Sequence, residues 1–162
     1  MKKLIHFIHE IGTIMYVGGI LSHIVIGVIF SGSTAQTIAT VYTYKLESAY
    51  ILILPGLAIK VVSDLISFFL LGERAWWMRI KLAATAFLTI NAFVFLVPMM
   101  PELLKLATNS IPDVHLSEEF HVLEAKEALI GISNVIPLIL EMIMGAFRPN
   151  VSRRERTRVE LN

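Results

Sequence analysis

The sequence predicts an all-α fold, a four-helix transmembrane bundle with both termini cytoplasmic, and three observations carry that prediction. Apolar residues make up 56% of the chain, mean hydropathy is +0.71 and only 17% of residues are charged. A water-soluble domain does not need so much apolar surface, so the chain reads as an integral membrane protein. Four apolar runs approach the roughly 20 residues that cross a hydrocarbon core. Lysine and arginine are distributed unevenly about these runs.

The first run, residues 4–30, is long enough to span a bilayer. It follows Met1-Lys2-Lys3, yet it is too long for a signal core and contains His and Glu, so it reads as a retained span. Residues 31–48 carry Ser, Thr and Gly and read as a polar loop. The second span, 49–71, contains Pro55-Gly56, a candidate kink. Its Lys60 and Asp64 lie one turn apart and read as an internally neutralised pair, or as a proton relay or propionate contact. Trp76-Trp77 reads as an interfacial belt before the third span, 78–97, which Pro98 and Pro101 should bend or end. Arg79 and Lys81 read first as side chains that snorkel to headgroups. Residues 102–126 read as the longest non-membrane stretch, with a turn at Asn109–Asp113 and Ser117 as an N-cap. The fourth span is 128–147, and 148–162 form a basic tail with Arg153, Arg154, Arg156 and Arg158.

Counting Lys and Arg near the span ends gives ten on the side of both termini and three (Lys45, Lys105, Lys126) on the other. This places both termini in the cytoplasm, in keeping with a bacterial inner-membrane protein. A net charge of +1 implies no nucleic-acid partner. The absence of cysteine excludes disulfides, iron–sulfur clusters, thiolate metal sites and covalent c-type haem attachment.

Ionisable residues inside membrane spans are costly, and here they are ordered. On the first span Gly12, Tyr16, Gly19, His23, His9 and Gly27 share an arc of about 80°. His9 and His23 are fourteen residues apart, about 21 Å along the axis. Such a face suits axial ligation of one or two haem b groups, His9 and His23 binding iron and Gly12 and Gly19 admitting flat rings. The alternative is glycine-mediated helix packing with hydrogen-bonded histidines. The fourth span has its own stripe of Glu127, Gly131, Asn134, Glu141 and Gly145. Packed antiparallel, Glu127 would lie beside His23 and Glu141 beside His9, orienting each imidazole. His121 is a candidate second ligand opposite His23, and Lys81, if deprotonated by burial, a candidate opposite His9. His6-Phe-Ile-His9-Glu10 and Glu118-Glu119-Phe-His121 could instead form separate non-haem metal sites. No phosphate loop, nucleophile elbow or zinc-protease motif occurs.

His9 followed by Tyr16-Val-Gly-Gly19, and Trp76-Trp77-Met-Arg-Ile-Lys81-Leu opening the third span, resemble motifs of small bacterial four-helix membrane families. These are an uncharacterised integral membrane family, the copper-resistance D-type domain and the haem b-binding membrane protoporphyrinogen oxidase. The resemblance implies that His9 and Lys81 lie around a haem or porphyrin. The leading expectation is therefore a b-type haem membrane oxidoreductase that transfers electrons or acts on a quinone or porphyrin with a redox partner. The alternative is a metal or proton transporter, or an accessory subunit, using Lys60, Asp64 and the His/Glu stripes. Glycine faces also suit a homodimer.

Overall fold

A computed structural model describes residues 2–113 and 115–148. Four long helices run up and down: Lys2–Ile29, Ala35–Phe69, Trp76–Asn109 and Glu118–Phe147, each long and apolar enough to cross a membrane. We label their straight parts α1 (Lys2–Ile29), α2 (Ala35–Ser48), α3 (Leu54–Phe69), α4 (Trp76–Ile90), α5 (Val97–Asn109), α6 (Glu118–Ser133) and α7 (Val135–Phe147). Lys2 and Phe147 lie at the same end of the bundle, called the near end below; the loops after α1 and α5 form the far end. The basic residues beyond Arg148 lie outside the described residues.

Two segments expected as loops are helical. Residues 35–48 form α2, started by Thr34, whose hydroxyl accepts from the Thr37 amide. Ile38, Ala39, Val41, Tyr42 and Lys45 recur at helical spacing and are buried, so packing overrides the polar composition. The third helix likewise continues to Asn109, burying Met99, Met100, Leu103 and Ala107. α6 begins at Glu118, capped by the Ser117 hydroxyl as the sequence suggests.

Pro98 and Pro101 do not end their helix. A π-helical turn, Asn91–Leu96, ends two residues before Pro98, and another, Ala49–Ile53, ends two residues before Pro55. Proline removes one amide donor and crowds the carbonyl four residues back; a widened turn accommodates both. The fourth helix instead breaks at Asn134, three residues before Pro137.

Neighbours in sequence are neighbours in space. α1 packs on α3, α2 on α5, α4 on α7 and α5 on α6. The expected face-to-face packing of the first and fourth helices is thus replaced by packing through the middle two. The reason is the α1–α3 crossing: a Cβ added to Gly12 would stand 2.9 Å from the Gly56 carbonyl oxygen, and one on Gly56 2.6 Å from the Tyr16 amide. Only glycine permits so close a backbone approach. Two apolar clusters result. One holds Tyr16, Leu57, Leu88 and Ala92 at mid-bundle; the other holds Tyr42, Met99, Met100, Leu103 and Phe120 towards the far end.

Candidate functional site

The near half of the bundle encloses a set of buried charges. Helical register puts Lys60, Ser63, Asp64 and Ser67 on one inward face of α3, all buried. Lys81 and Thr85, one turn apart on α4, face them, and Glu141 comes from α7. Lys81 Nζ lies 2.7 Å from Asp64 Oδ1. Lys60 pairs with Glu141 across the bundle. The Thr85 hydroxyl donates to Glu141 Oε1 at 2.6 Å. Lys60 and Asp64 are therefore not a self-neutralised pair; each is balanced by another helix. Two cations and two carboxylates leave the set neutral, as burial demands.

His9 completes it. Its Nδ1 lies 3.0 Å from Ser63 Oγ and 3.3 Å from Asp64 Oδ1, and its Nε2 lies 2.9 Å from Lys81 Nζ. An ammonium can only donate, so Nε2 accepts from Lys81 and the proton sits on Nδ1, directed at Ser63 and Asp64. The Ser63 hydroxyl in turn donates to the Lys60 carbonyl at 2.9 Å. A cavity of about 60 Å³ opens from this set towards the near end, lined by His6, His9, Glu10, Asp64, Glu73 and Lys81 among others. It has room for a few water molecules. Asp64 Oδ2 and Glu73 Oε2, both on its wall, are buried without a hydrogen-bond partner.

The other expected site residues lie elsewhere. Glu127 is in the far half, where its Oε1 accepts from Lys45 Nζ at 2.9 Å and its Oε2 from the Tyr42 hydroxyl at 2.7 Å. His23 Nε2 lies 2.6 Å from Ser48 Oγ. Neither histidine bonds to the carboxylate expected beside it; serines on the second helix take that place. His121 is exposed on α6, 3.6 Å from Glu124, and so is not opposite His23. Tyr16 is buried in the mid-bundle apolar cluster. Lys81 does not snorkel, being turned inward to Asp64 and His9.

The residues around His9 do not fit a haem on the Gly12–Gly19 face. Both ring nitrogens of His9 are engaged by protein. The face of Gly12 is filled by Gly56, and that of Gly19 by Ile53, 2.6 Å from an added Cβ. The cavity beside His9 is far below the roughly 300 Å³ or more that a cofactor-sized ligand needs. Among the described residues, no group of three His, Asp or Glu side chains is placed to hold a metal ion.

Hydropathy and helical spacing do not mark Lys45, Tyr42, Ser48, Ser63 or Thr85 as site residues. The sequence does carry one trace of them, Lys45-Leu-Glu-Ser48 and Lys60-Val-Val-Ser63, the same Lys-x-x-Ser pattern twice on one helix. Comparison with known proteins finds no matching family model, no matching curated protein and no matching solved structure.

Proposed function

We propose that this chain is an integral membrane protein that conducts protons, taking them up from an aqueous mouth at its near end through the buried His9–Asp64–Lys81 set. The carrying observation is that the two nitrogens of one imidazole touch a donor on one side and a carboxylate on the other. Histidine shuttles protons by accepting at one nitrogen and releasing from the other. Here a proton passes from Lys81 Nζ to His9 Nε2, giving a transient imidazolium. The Nδ1 proton then leaves for Asp64 Oδ1, and water in the cavity reprotonates Lys81. Cavity water takes the proton from Asp64, and solvent exchange that removes the Nε2 proton and returns one to Nδ1 restores the starting tautomer. Atoms and charge balance at each step, and Lys60–Glu141 holds the surrounding field neutral. The bias of Lys and Arg towards the near end supports a cytoplasmic mouth. Charge balance favours a proton over a resident metal cation, which would leave uncompensated positive charge in a site of low dielectric.

The test is proton flux into liposomes containing the purified protein and a trapped pH dye, driven by a potassium diffusion potential. Wild-type protein should conduct above protein-free vesicles, and His9→Ala should lower the rate on the order of a hundredfold. The paired Asp64→Asn/Lys81→Met variant, which leaves no lone buried charge, should do the same while remaining folded. Flux equal to that of empty vesicles, or undiminished in His9→Ala, would overturn the reading.

A further inference from the structure

The near set has a counterpart one half-bundle away. His9 and His23 are fourteen residues apart on the first helix, Lys60 and Lys45 fifteen apart on the second, and Glu141 and Glu127 fourteen apart on the fourth. Part of the bonding repeats along with the residues, although the far set has no counterpart of Asp64 and Lys81. Lys60 pairs with Glu141, and Lys45 with Glu127. Ser63 Oγ lies beside His9 and bonds the Lys60 carbonyl; Ser48 Oγ lies beside His23 and bonds the Lys45 carbonyl at 3.2 Å. Each glutamate also accepts from a hydroxyl, Thr85 near and Tyr42 far. A glycine four residues beyond His23, Gly27, leaves room for the Lys45 ammonium, as Gly145 does for the Lys81 chain. Charge is balanced in the far set too, one lysine against one glutamate.

Between the two sets lies an apolar cluster flanked by the Asn91–Asn134 contact. Tyr16 stands seven residues from either histidine, packed with Leu57, Leu88 and Ala92. Asn134 stands seven residues from either glutamate and accepts from Asn91 at 2.6 Å. Seven residues rise about 10 Å, too far for direct transfer. Both π-helical turns and the Asn134 break fall on the far side of this layer or within it. Ordinary helix packing needs neither a second buried ion pair nor the same serine bridge at a second depth.

We infer that His23, Lys45 and Glu127 form a second proton-exchange station, the far terminus of a route whose near terminus is the His9 set. This inference rests on the proton reading of the near set. The stations exchange protons when the Tyr16 layer opens to water at the irregular turns.

The test separates the two claims. The part of proton uptake by the detergent-solubilised full-length protein that His9→Ala abolishes, read with an indicator dye after a pH jump, reports the near station; flux through liposomes reports the whole route. The paired Lys45→Met/Glu127→Leu variant and, separately, His23→Ala should leave this His9-dependent uptake unchanged and lower transmembrane flux on the order of a hundredfold. Flux unchanged in both variants would overturn the second station and leave the near one standing. Loss of uptake together with flux would also overturn it, since the far set would then act only through the fold. Absence of this His9-dependent uptake in the wild-type protein would instead refute the near-station reading.

Discussion

In the near half of the bundle the buried charges line a cavity; in the far half they pack against an aromatic and apolar cluster. His9, Asp64 and Lys81 line a space of about 60 Å³ that opens at the chain-end side. Lys45 and Glu127 instead reach Tyr42, whose ring packs among Met99, Met100, Leu103 and Phe120. The near set is also the larger, since Asp64 and Lys81 add a second ion pair absent from the far one. It is the drier at its heart as well: the side chains of Lys60 and Glu141 are 3% and 2% exposed, those of Lys45 and Glu127 9% and 13%. The comparison teaches that one residue plan can serve two conditions, and that what lies around the plan decides which side of the molecule can reach it.

The largest effect expected from that difference is on stability. Glu141→Gln leaves Lys60 buried without its partner and should cost about 3–5 kcal/mol, read as a lowered thermal midpoint in detergent. Lys60→Met with Glu141→Leu should recover most of it. Glu127→Gln, at the more accessible pair, should cost less. Equal losses at the two sites would remove the distinction between the halves.

Packing gives the next largest effect. Gly12→Ala drives a methyl into the Gly56 carbonyl, where neither backbone can yield, and should cost about 1–3 kcal/mol. It should also spread His9 from Ser63 and slow proton flux. Gly19→Ala meets the Ile53 side chain, which can rotate, and should cost less. Gly18→Ala and Gly131→Ala face open space and should be neutral.

Much of this fold is legible in the sequence, because hydropathy and length mark four helices whatever their packing. Their extents are less so. Lys45, Glu47 and Ser48 make residues 35–48 look like a loop, since composition does not reveal that Lys45 will be turned inward to Glu127. Pro98 looks like a stop signal, because the π-helical turn that absorbs it is not a property of any single residue. The paired spacings of His9 with His23 and Glu127 with Glu141 are visible as numbers. That they meet Ser63, Lys60 and Lys45 rather than one another depends on the Gly12–Gly56 crossing, a contact between distant segments that no local pattern encodes.

A spectroscopic prediction sharpens the assignment of His9. Protein purified from cells supplied with a haem precursor should show no Soret band and no reduced α and β bands after dithionite, because both imidazole nitrogens are held within the protein. A stoichiometric haem spectrum lost in His9→Ala would mean that the ring leaves Lys81 and Ser63 to bind iron. Smaller still is the loss at a helix start: Ser117→Ala removes the cap on the Phe120 amide and should cost about 1 kcal/mol, seen as faster hydrogen exchange at the beginning of α6.

The apolar layer offers a gain rather than a loss. Leu88→Ser places a hydroxyl beside Tyr16, midway between the two sets, and should raise transmembrane flux without altering proton uptake at the near end. Unchanged or lower flux would mean that this layer does not limit passage.

The most direct measurement is nitrogen NMR of ¹⁵N-histidine protein in lipid bilayers, with His9 identified by its absence in His9→Gln. The account predicts a neutral ring protonated at Nδ1, with Nε2 accepting a hydrogen bond. It also predicts that this proton exchanges with deuterated water faster than that of His23. A ring protonated at Nε2, or a His9 proton that persists while that of His23 exchanges, would contradict the claim that protons enter this molecule through His9.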